Sequence, residues 1–468
     1  MSWATDARAE GAWQGARVCV AGTGLSGAAA ARVLEARGAE VTTVDARLGN
    51  DEVLPPGVDL VVTSPGWRPA HPLFAQAADR VVPVWGEVEL AWRLREPAVP
   101  WLGVTGTNGK TTTVRMLASM LTAGGHRAVA AGNVGLPLLD AVLAEPSYDV
   151  LAVELSSYQL HWTTTVACHA AAILNLAPDH LDWHGSFEAY AADKARIWAA
   201  GTAAVFNADD DATRLLAVDR AEAISFTLGD PAPGQFGVRD GFLVEHQVVR
   251  SAGDSAESGC ATHHSIIRLA PVVAVQPAAP HNAANALAAA ALARTVGVAP
   301  EAVQAGLLTF TPDAHRIARV GRVDASDGSD GSDSIEFVDD SKATNAHAAA
   351  ASLAAFDSVV WVAGGLAKGA EFDDLVAGAA NRLRGVVLLG RDRAVIAGAL
   401  ARHAPDVPVV EVSATDTGAM DDVVRAALGL ARPGDTVLLA PACASMDMFT
   451  NYAERGDAFA AAVARLRR

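Results

Sequence analysis

Residues 104–113, VTGTNGKTTT, gather glycines, a lysine and threonines between an apolar run and a helical pattern. A strand–turn–helix of this kind aims backbone N–H groups and the positive helix end at an anion, with Lys110 as a point charge for terminal phosphates. Thr111 can offer its hydroxyl to Mg²⁺. The spacing is not a full G-x-x-x-x-G-K-[ST], because Val104 stands at the first glycine position. The context Gly106, Gly109, Lys110, Thr111 favours nucleotide binding over a merely tight connection. A second loop, GTGLSG, places Gly22, Gly24 and Gly27 in G-x-G-x-x-G order, and Asp45 follows near the offset where a carboxylate meets a ribose. Alone, that loop fits a nucleotide's phosphates or a helix packed close to a strand.

Other polar residues lie at the ends of apolar runs. Glu154 closes VLAVE, where a carboxylate suits either a Mg²⁺ contact or a solvated loop edge. Asp179, His180, Asp182 and His184 form a dense polar cluster whose plainer reading is a helix start and turn. Lys194 falls on a helical pattern where a lysine is ordinarily solvated. In the C-terminal third, FVDDSKATN carries Asp340, Lys342 and Thr344, VAGGLAKG carries Lys368, and APACASMD carries Ser445. Three polar strand ends in one sheet would form a binding face.

The elements that must hold these residues alternate β-rich runs with Ala- and Leu-rich helices, the pattern of parallel α/β sheets. Strands are expected at 17–22, 40–45, 59–63, 101–105, 150–155, 171–176, 358–363, 385–390 and 436–440, and helices at 27–37, 110–123, 283–296, 346–356 and 453–467. The polar segments 251–265 and 324–334 read as flexible surface insertions. Boundaries near Pro97 and Pro312 divide the chain into 1–97, 98–312 and 313–468. That suits a length of 468 residues, too great for one core.

With 51% hydrophobic and 19% charged residues the chain is globular, and its net charge of −17 argues against nucleic-acid or anionic-membrane partners. The N-terminal stretch lacks the basic and apolar regions of a signal peptide, and ALAAAALA is too short to span a bilayer. Four scattered cysteines without a CxxC pair read as buried thiols. A cytoplasmic location is expected.

Taken together, VTGTNGKTTT, PHNAANAL (280–287), His315-Arg316 and DHLD followed by Lys194 resemble the Mur ligases, ATP-dependent amide-forming enzymes of peptidoglycan synthesis. GTGLSG, SPGW (64–67), GEVELAW (86–92), ELSSYQL, DDSKATN and PACASMD match the members that add D-glutamate. The resemblance implies an α/β chain of three domains: a Rossmann-like N-terminal domain for UDP, a central P-loop ATPase-like domain, and a Rossmann-like C-terminal domain for glutamate. It implies that D-glutamate is joined to UDP-N-acetylmuramoyl-L-alanine through an acyl phosphate, in a step serving cell wall biogenesis, cell shape and division. Two nucleotide loops are then needed because two nucleotides bind at once.

By the same resemblance, Gly106, Thr107, Asn108, Gly109, Lys110, Thr111 and Thr112 hold ATP with Asn282, Asn285, Arg316 and Asp340. Gly24, Leu25, Ser26, Gly27, Asp45, Arg47, Asn133 and Ser156 serve the UDP-sugar. Lys342, Thr344, Lys368, Ser445 and Tyr452 receive glutamate. Lys110, Glu154, His180 and Lys194 carry catalysis. Two Mg²⁺ ions are expected on Thr111, Glu154, His180 and Lys194, the last as a carbamate. The partners are small molecules alone, and a monomer is expected. Three alternatives compete: a relative adding L-glutamate or using another UDP-muramoyl peptide, a dehydrogenase using GTGLSG, and a nucleotide-gated binding module without ligation.

Overall fold

The computed structural model describes residues 2–220, 222–250, 262–324, 334–414 and 418–466. Three sheets run through it, all mainly parallel, as the alternation of elements requires. The first contains β1 (Arg17–Ala21), β2 (Glu40–Val44), β3 (Leu60–Thr63) and β4 (Val84–Gly86) in the order β2-β1-β3-β4. Its central strand β1 pairs in parallel with β2 on one side and β3 on the other. The end of β1 is therefore a topological switch point, where an open α/β sheet leaves a crevice. GTGLSG follows that strand.

The second sheet holds nine strands: β5 (Trp101–Thr105), β6 (Ala128–Gly132), β7 (Val150–Glu154), β8 (Ala170–Ile173), β9 (Ala203–Asn207), β10 (Ile224–Phe226), β11 (Gln235–Arg239), β12 (Phe242–Arg250) and β13 (Thr262–Pro271). Their order is β13-β12-β11-β10-β9-β8-β5-β7-β6. β5 and β7 are buried at every residue, which explains their unbroken apolar runs. β5 lies between β7 and β8, so the phosphate-type loop also leaves a switch point. ALAAAALA is the middle of the helix Pro280–Thr295, and Ala286 to Ala293 are wholly buried. A helix apolar on all sides is a core helix.

The third sheet is β14 (Ala318–Asp324), β15 (Ser334–Asp339), β16 (Val359–Gly364), β17 (Leu383–Leu389), β18 (Val409–Glu411) and β19 (Thr436–Leu439), in the order β14-β15-β19-β16-β17-β18. Packing groups the first two sheets in one compact unit, Met1–Val275 with Ala283–Phe310. The third belongs to another, Gln276–Asn282 with Thr311–Arg468.

The parallel pattern holds for most strand pairs, while β11-β12-β13 and β14-β15 pair antiparallel. β11 and β12 are joined through Asp240 and Gly241 alone, where a parallel crossover needs a helix. One expectation needs correction. The supposed insertion 251–265 is shorter than the polarity of the sequence implied: residues 262–265 belong to β13 and pair with β12. Its remainder, 251–261, and residues 325–333 of the other insertion lie outside the described residues.

Candidate active site

The first glycine loop is shaped by close approach. Gly22 has φ +114°, and a Cβ on Gly27 would lie 1.9 Å from the Gly22 carbonyl oxygen. The helix Leu25–Ala36 then starts from Gly24 without a side-chain cap, and uncapped N–H groups suit an anion. Leu25 is almost fully exposed. Asp45 turns inward to its own loop: Oδ2 accepts from Thr23 N (2.7 Å) and Thr23 Oγ1 (2.8 Å), and Oδ1 accepts from Arg47 N (2.9 Å). The Arg47 N–H and then Thr23 hold its carboxyl below the ordinary range.

The second loop is braced from three sides. Lys110 Nζ donates to Gly106 O and Thr107 O, both at 2.9 Å, which folds the ammonium over the turn. Asn175 Oδ1 accepts from Asn108 N (2.8 Å), and its Nδ2 donates to Asn108 O (3.1 Å). Tyr190 OH lies 2.9 Å from Thr107 Oγ1. Gly109, at φ +83°, leaves space for Asn285, whose Oδ1 would be 2.3 Å from a Cβ there. The helix Lys110–Ala123 also begins without a side-chain cap, on Gly109. Thr111 is half-buried and Thr112 buried in its first turn.

Sheet register brings the acid and the distant lysine to the same place. Val104 pairs with Glu154, so β7 ends beside β5. Glu154 is buried; Oε1 accepts from Asn133 Nδ2 at 2.8 Å, while buried Oε2 has no hydrogen-bond partner. A buried carboxylate oxygen in that state calls for a cation or a donor. Lys194, 1% exposed, donates from Nζ to Gly106 O (2.9 Å) and Thr105 Oγ1 (3.3 Å). Burial, reinforced by the Lys110 charge, pulls its pKa well below the usual lysine range, toward a neutral amine.

The polar cluster after β8 does not converge. His180 sits at φ +54° with its side chain 45% exposed and its ring against Tyr158. Burial lowers its pKa, with Lys110 and Lys194 acting the same way against Asp179. Asp182 turns to Arg68 (3.2 Å), and His184 turns to Asp193 and Ser157 (both 3.0 Å). Among the described residues no three His, Cys, Asp or Glu side chains come together as a metal cage. Ser156 caps the helix Ser157–His161 in a capping box with Gln159.

In the C-terminal unit, Asp340 is buried and accepts from Ser352 Oγ; burial raises its pKa to about 6. Arg316 Nε lies 3.7 Å from Asp313. Lys342 Nζ rests 3.9 Å above the Tyr452 ring, a cation–π contact. Thr344 is half-buried, Ser445 buried, and Lys368 exposed at φ +52°. Asn282 is buried and its Nδ2 donates to Pro277 O at 3.0 Å.

Residues 104–293 match the model of the Mur ligase middle domain, and 321–443 that of the Mur ligase glutamate ligase domain. The chain is 58% identical to the UDP-N-acetylmuramoylalanine–D-glutamate ligase of Streptomyces coelicolor, across 97% of this chain and 99% of that protein. The chain belongs to the Mur ligase family. The Streptomyces avermitilis ligase of the same name is also 58% identical, over 96% of this chain and 98% of its own length. Among solved structures, the UDP-N-acetylmuramate-alanine ligase of Thermotoga maritima superposes with a TM-score of 0.52 at 19% identity, covering 97% of this chain and 99% of that one. That likeness extends to the fold.

In this Mur ligase the residues that sequence reading passed over are those bracing the others. Asn175 and Tyr190 hold the phosphate loop, and Asp193 joins three helices. In the C-terminal unit buried Arg455 donates to Ser341 Oγ (2.9 Å), Ser341 O (2.9 Å) and Cys443 O (3.1 Å), tying DDSKATN to PACAS. An arginine in an amphipathic helix pattern gives no local sign that it is buried.

Proposed function

We propose that this chain joins D-glutamate to UDP-N-acetylmuramoyl-L-alanine at the expense of ATP. The observation that carries this reading is the convergence at the end of β5: Lys110 and Lys194 both reach the Gly106 carbonyl, and Glu154 ends the neighbouring strand. The names of its close relatives support D-glutamate as the added residue.

In this reading the three sheets belong to three domains, 1–97 for UDP, 98–312 for ATP and 313–468 for glutamate. Gly24 to Gly27, Asp45, Arg47, Asn133 and Ser156 orient the UDP-sugar. Gly106 to Thr112, Asn282, Asn285, Arg316 and Asp340 bind ATP. An alanyl carboxylate oxygen attacks the γ-phosphorus and ADP leaves. The glutamate ammonium first gives one proton to the medium, its nitrogen attacks the acyl carbon, phosphate departs, and a second proton is lost, leaving one N–H on the new amide. Such transfers depend on alignment and charge neutralisation. Lys110 neutralises the transferring phosphoryl group. Lys342, Thr344, Lys368, Ser445 and Tyr452 seat the incoming glutamate, the lysines facing its carboxylates.

The residues present fit Mg²⁺. The orphaned Glu154 Oε2 supplies a hard anionic oxygen and Thr111 a hydroxyl. His180 completes this set with Lys194, whose amine in its unprotonated form, favoured by burial, can add to CO₂, forming a C–N bond, releasing a proton and becoming an oxygen donor. When bound, Mg²⁺ shields charge on the phosphates and the reacting carboxylate. The protein acts as a monomer in the cytoplasm. Among the described residues no helix is long and apolar enough to cross a membrane.

The test is phosphate release with Mg²⁺ and ATP in an omission series. Release should require both UDP-N-acetylmuramoyl-L-alanine and D-glutamate, with a product heavier by one glutamyl residue. Release with L-glutamate in its place would overturn the substrate assignment and keep the chemistry.

A further inference from the structure

Asp193 is next to Lys194 on the helix Phe187–Ala195. Successive helix residues point about 100° apart, since a turn takes roughly 3.6 residues. The helix can thus aim Lys194 at the phosphate loop and Asp193 at other elements. Asp193 is 6% exposed. Its Oδ2 lies 2.9 Å from His161 Nδ1 and 3.0 Å from His184 Nδ1, and Oδ1 lies 3.0 Å from His161 Nδ1 and 3.1 Å from Arg196 Nε.

Each histidine lies on a helix that follows a site residue. His161 ends the helix Ser157–His161, which follows Glu154 and Ser156. His184 ends the helix Leu181–His184, which follows His180. His184 Nε2 continues the chain to Ser157 Oγ at 3.0 Å. The order serine, imidazole, carboxylate is that of a hydrolase relay. Ser157 is only 2% exposed and the His184 side chain 0%, however, so no acyl group reaches that hydroxyl. The network is a tie between helices.

We infer that Asp193 is a positioning residue for the ligase reaction. One buried carboxylate locks the helix that aims Lys194 at the end of β5 to the two helices that follow Glu154 and His180. This rests on the reading of Lys194 and His180 as site residues. Asp193→Asn keeps the size of the side chain but removes the negative charge on which both imidazoles and Arg196 converge, so the tie weakens. A misplacement of about 1 Å in a reacting constellation costs up to roughly 100-fold in rate.

The experiment measures phosphate release and thermal melting of the full chain for Asp193→Asn, Lys194→Ala, His161→Phe and Arg196→Ala. Asp193→Asn should lower kcat by about 10- to 100-fold with KM for D-glutamate within about twofold and a cooperative melt retained. Arg196→Ala removes an ion pair whose arginine is 46% exposed and should leave kcat nearly unchanged. A wild-type kcat in Asp193→Asn beside an inactive Lys194→Ala would overturn the positioning role alone. Full turnover in Lys194→Ala would overturn it together with the proposed role of Lys194. Should Asp193→Asn fail to melt cooperatively, His161→Phe decides: reduced kcat at unchanged KM supports the tie, and unchanged kcat overturns it.

Discussion

At the first glycine loop the glycines make room for the loop itself, with the Gly27 Cβ position 1.9 Å from Gly22 O. At the second they make room for something distant, since the Gly109 Cβ position is 2.3 Å from Asn285 Oδ1, on a helix far along the chain. The first loop carries no cation, and its nearest carboxylate, Asp45, is spent on Thr23 and Arg47. The second carries Lys110, folded onto its own carbonyls, with Lys194 sharing the Gly106 carbonyl. Two loops of like composition therefore do different work: one supplies a close backbone surface, the other gathers charge.

The widest separation between them should come from Lys110→Met. Removing that cation should lower kcat for phosphate release by about 10³-fold, as loss of one aimed electrostatic contact does, while the UDP-sugar still binds in calorimetry. Gly27→Ala should act on the fold, because its Cβ meets a carbonyl that cannot move without opening the turn. Overpacking of this kind costs about 3 kcal/mol, read as a lowered melting temperature. An unchanged melt would mean the glycine is there for a ligand.

A third contrast comes from the sheet behind the first loop. Glu87 is buried after β4, and burial pushes its pKa from 4.5 up to about 7 against the opposing pull of the Leu139 and Leu138 N–H groups. The folded protein holds this proton more tightly than the unfolded chain. Its contribution to stability is therefore full below pH 4.5 and is lost as pH rises through about 7. Glu87→Gln should melt higher than the parent at pH 8, and the difference should vanish near pH 4.5, with kcat unchanged. The smallest effect belongs to Gly24→Ala. Gly24 has φ −72° and open space around its Cβ position, so stability should hold. A severalfold rise in KM for the UDP-sugar would mark close approach of the diphosphate.

Local features were legible. The helix Lys110–Ala123 and strands β5 and β7 lie where the apolar runs and the glycine–lysine turn put them. The antiparallel pairing of β12 with β13 was not, because the polar stretch before β13 hides its first residues. Lys194 on its helix looked solvated, and Glu154 could have been a loop-edge acid; both are buried. Asp193 and Arg455 gave no signal at all, since their partners are remote or lie on other helices.

The sequence by itself determined the phosphate loop, because a strand, a turn and a helix start are made by adjacent residues whose backbone geometry the glycines and lysine dictate. It also carried the family, through motifs spread along most of the chain. Only the tertiary structure decided the state of Lys194. Its burial beside Gly106, 88 residues earlier, removes water that would favour the charged form and so lowers its pKa. The tie at Asp193 was likewise a tertiary decision, for a carboxylate becomes an anchor only when folding brings two imidazoles to it.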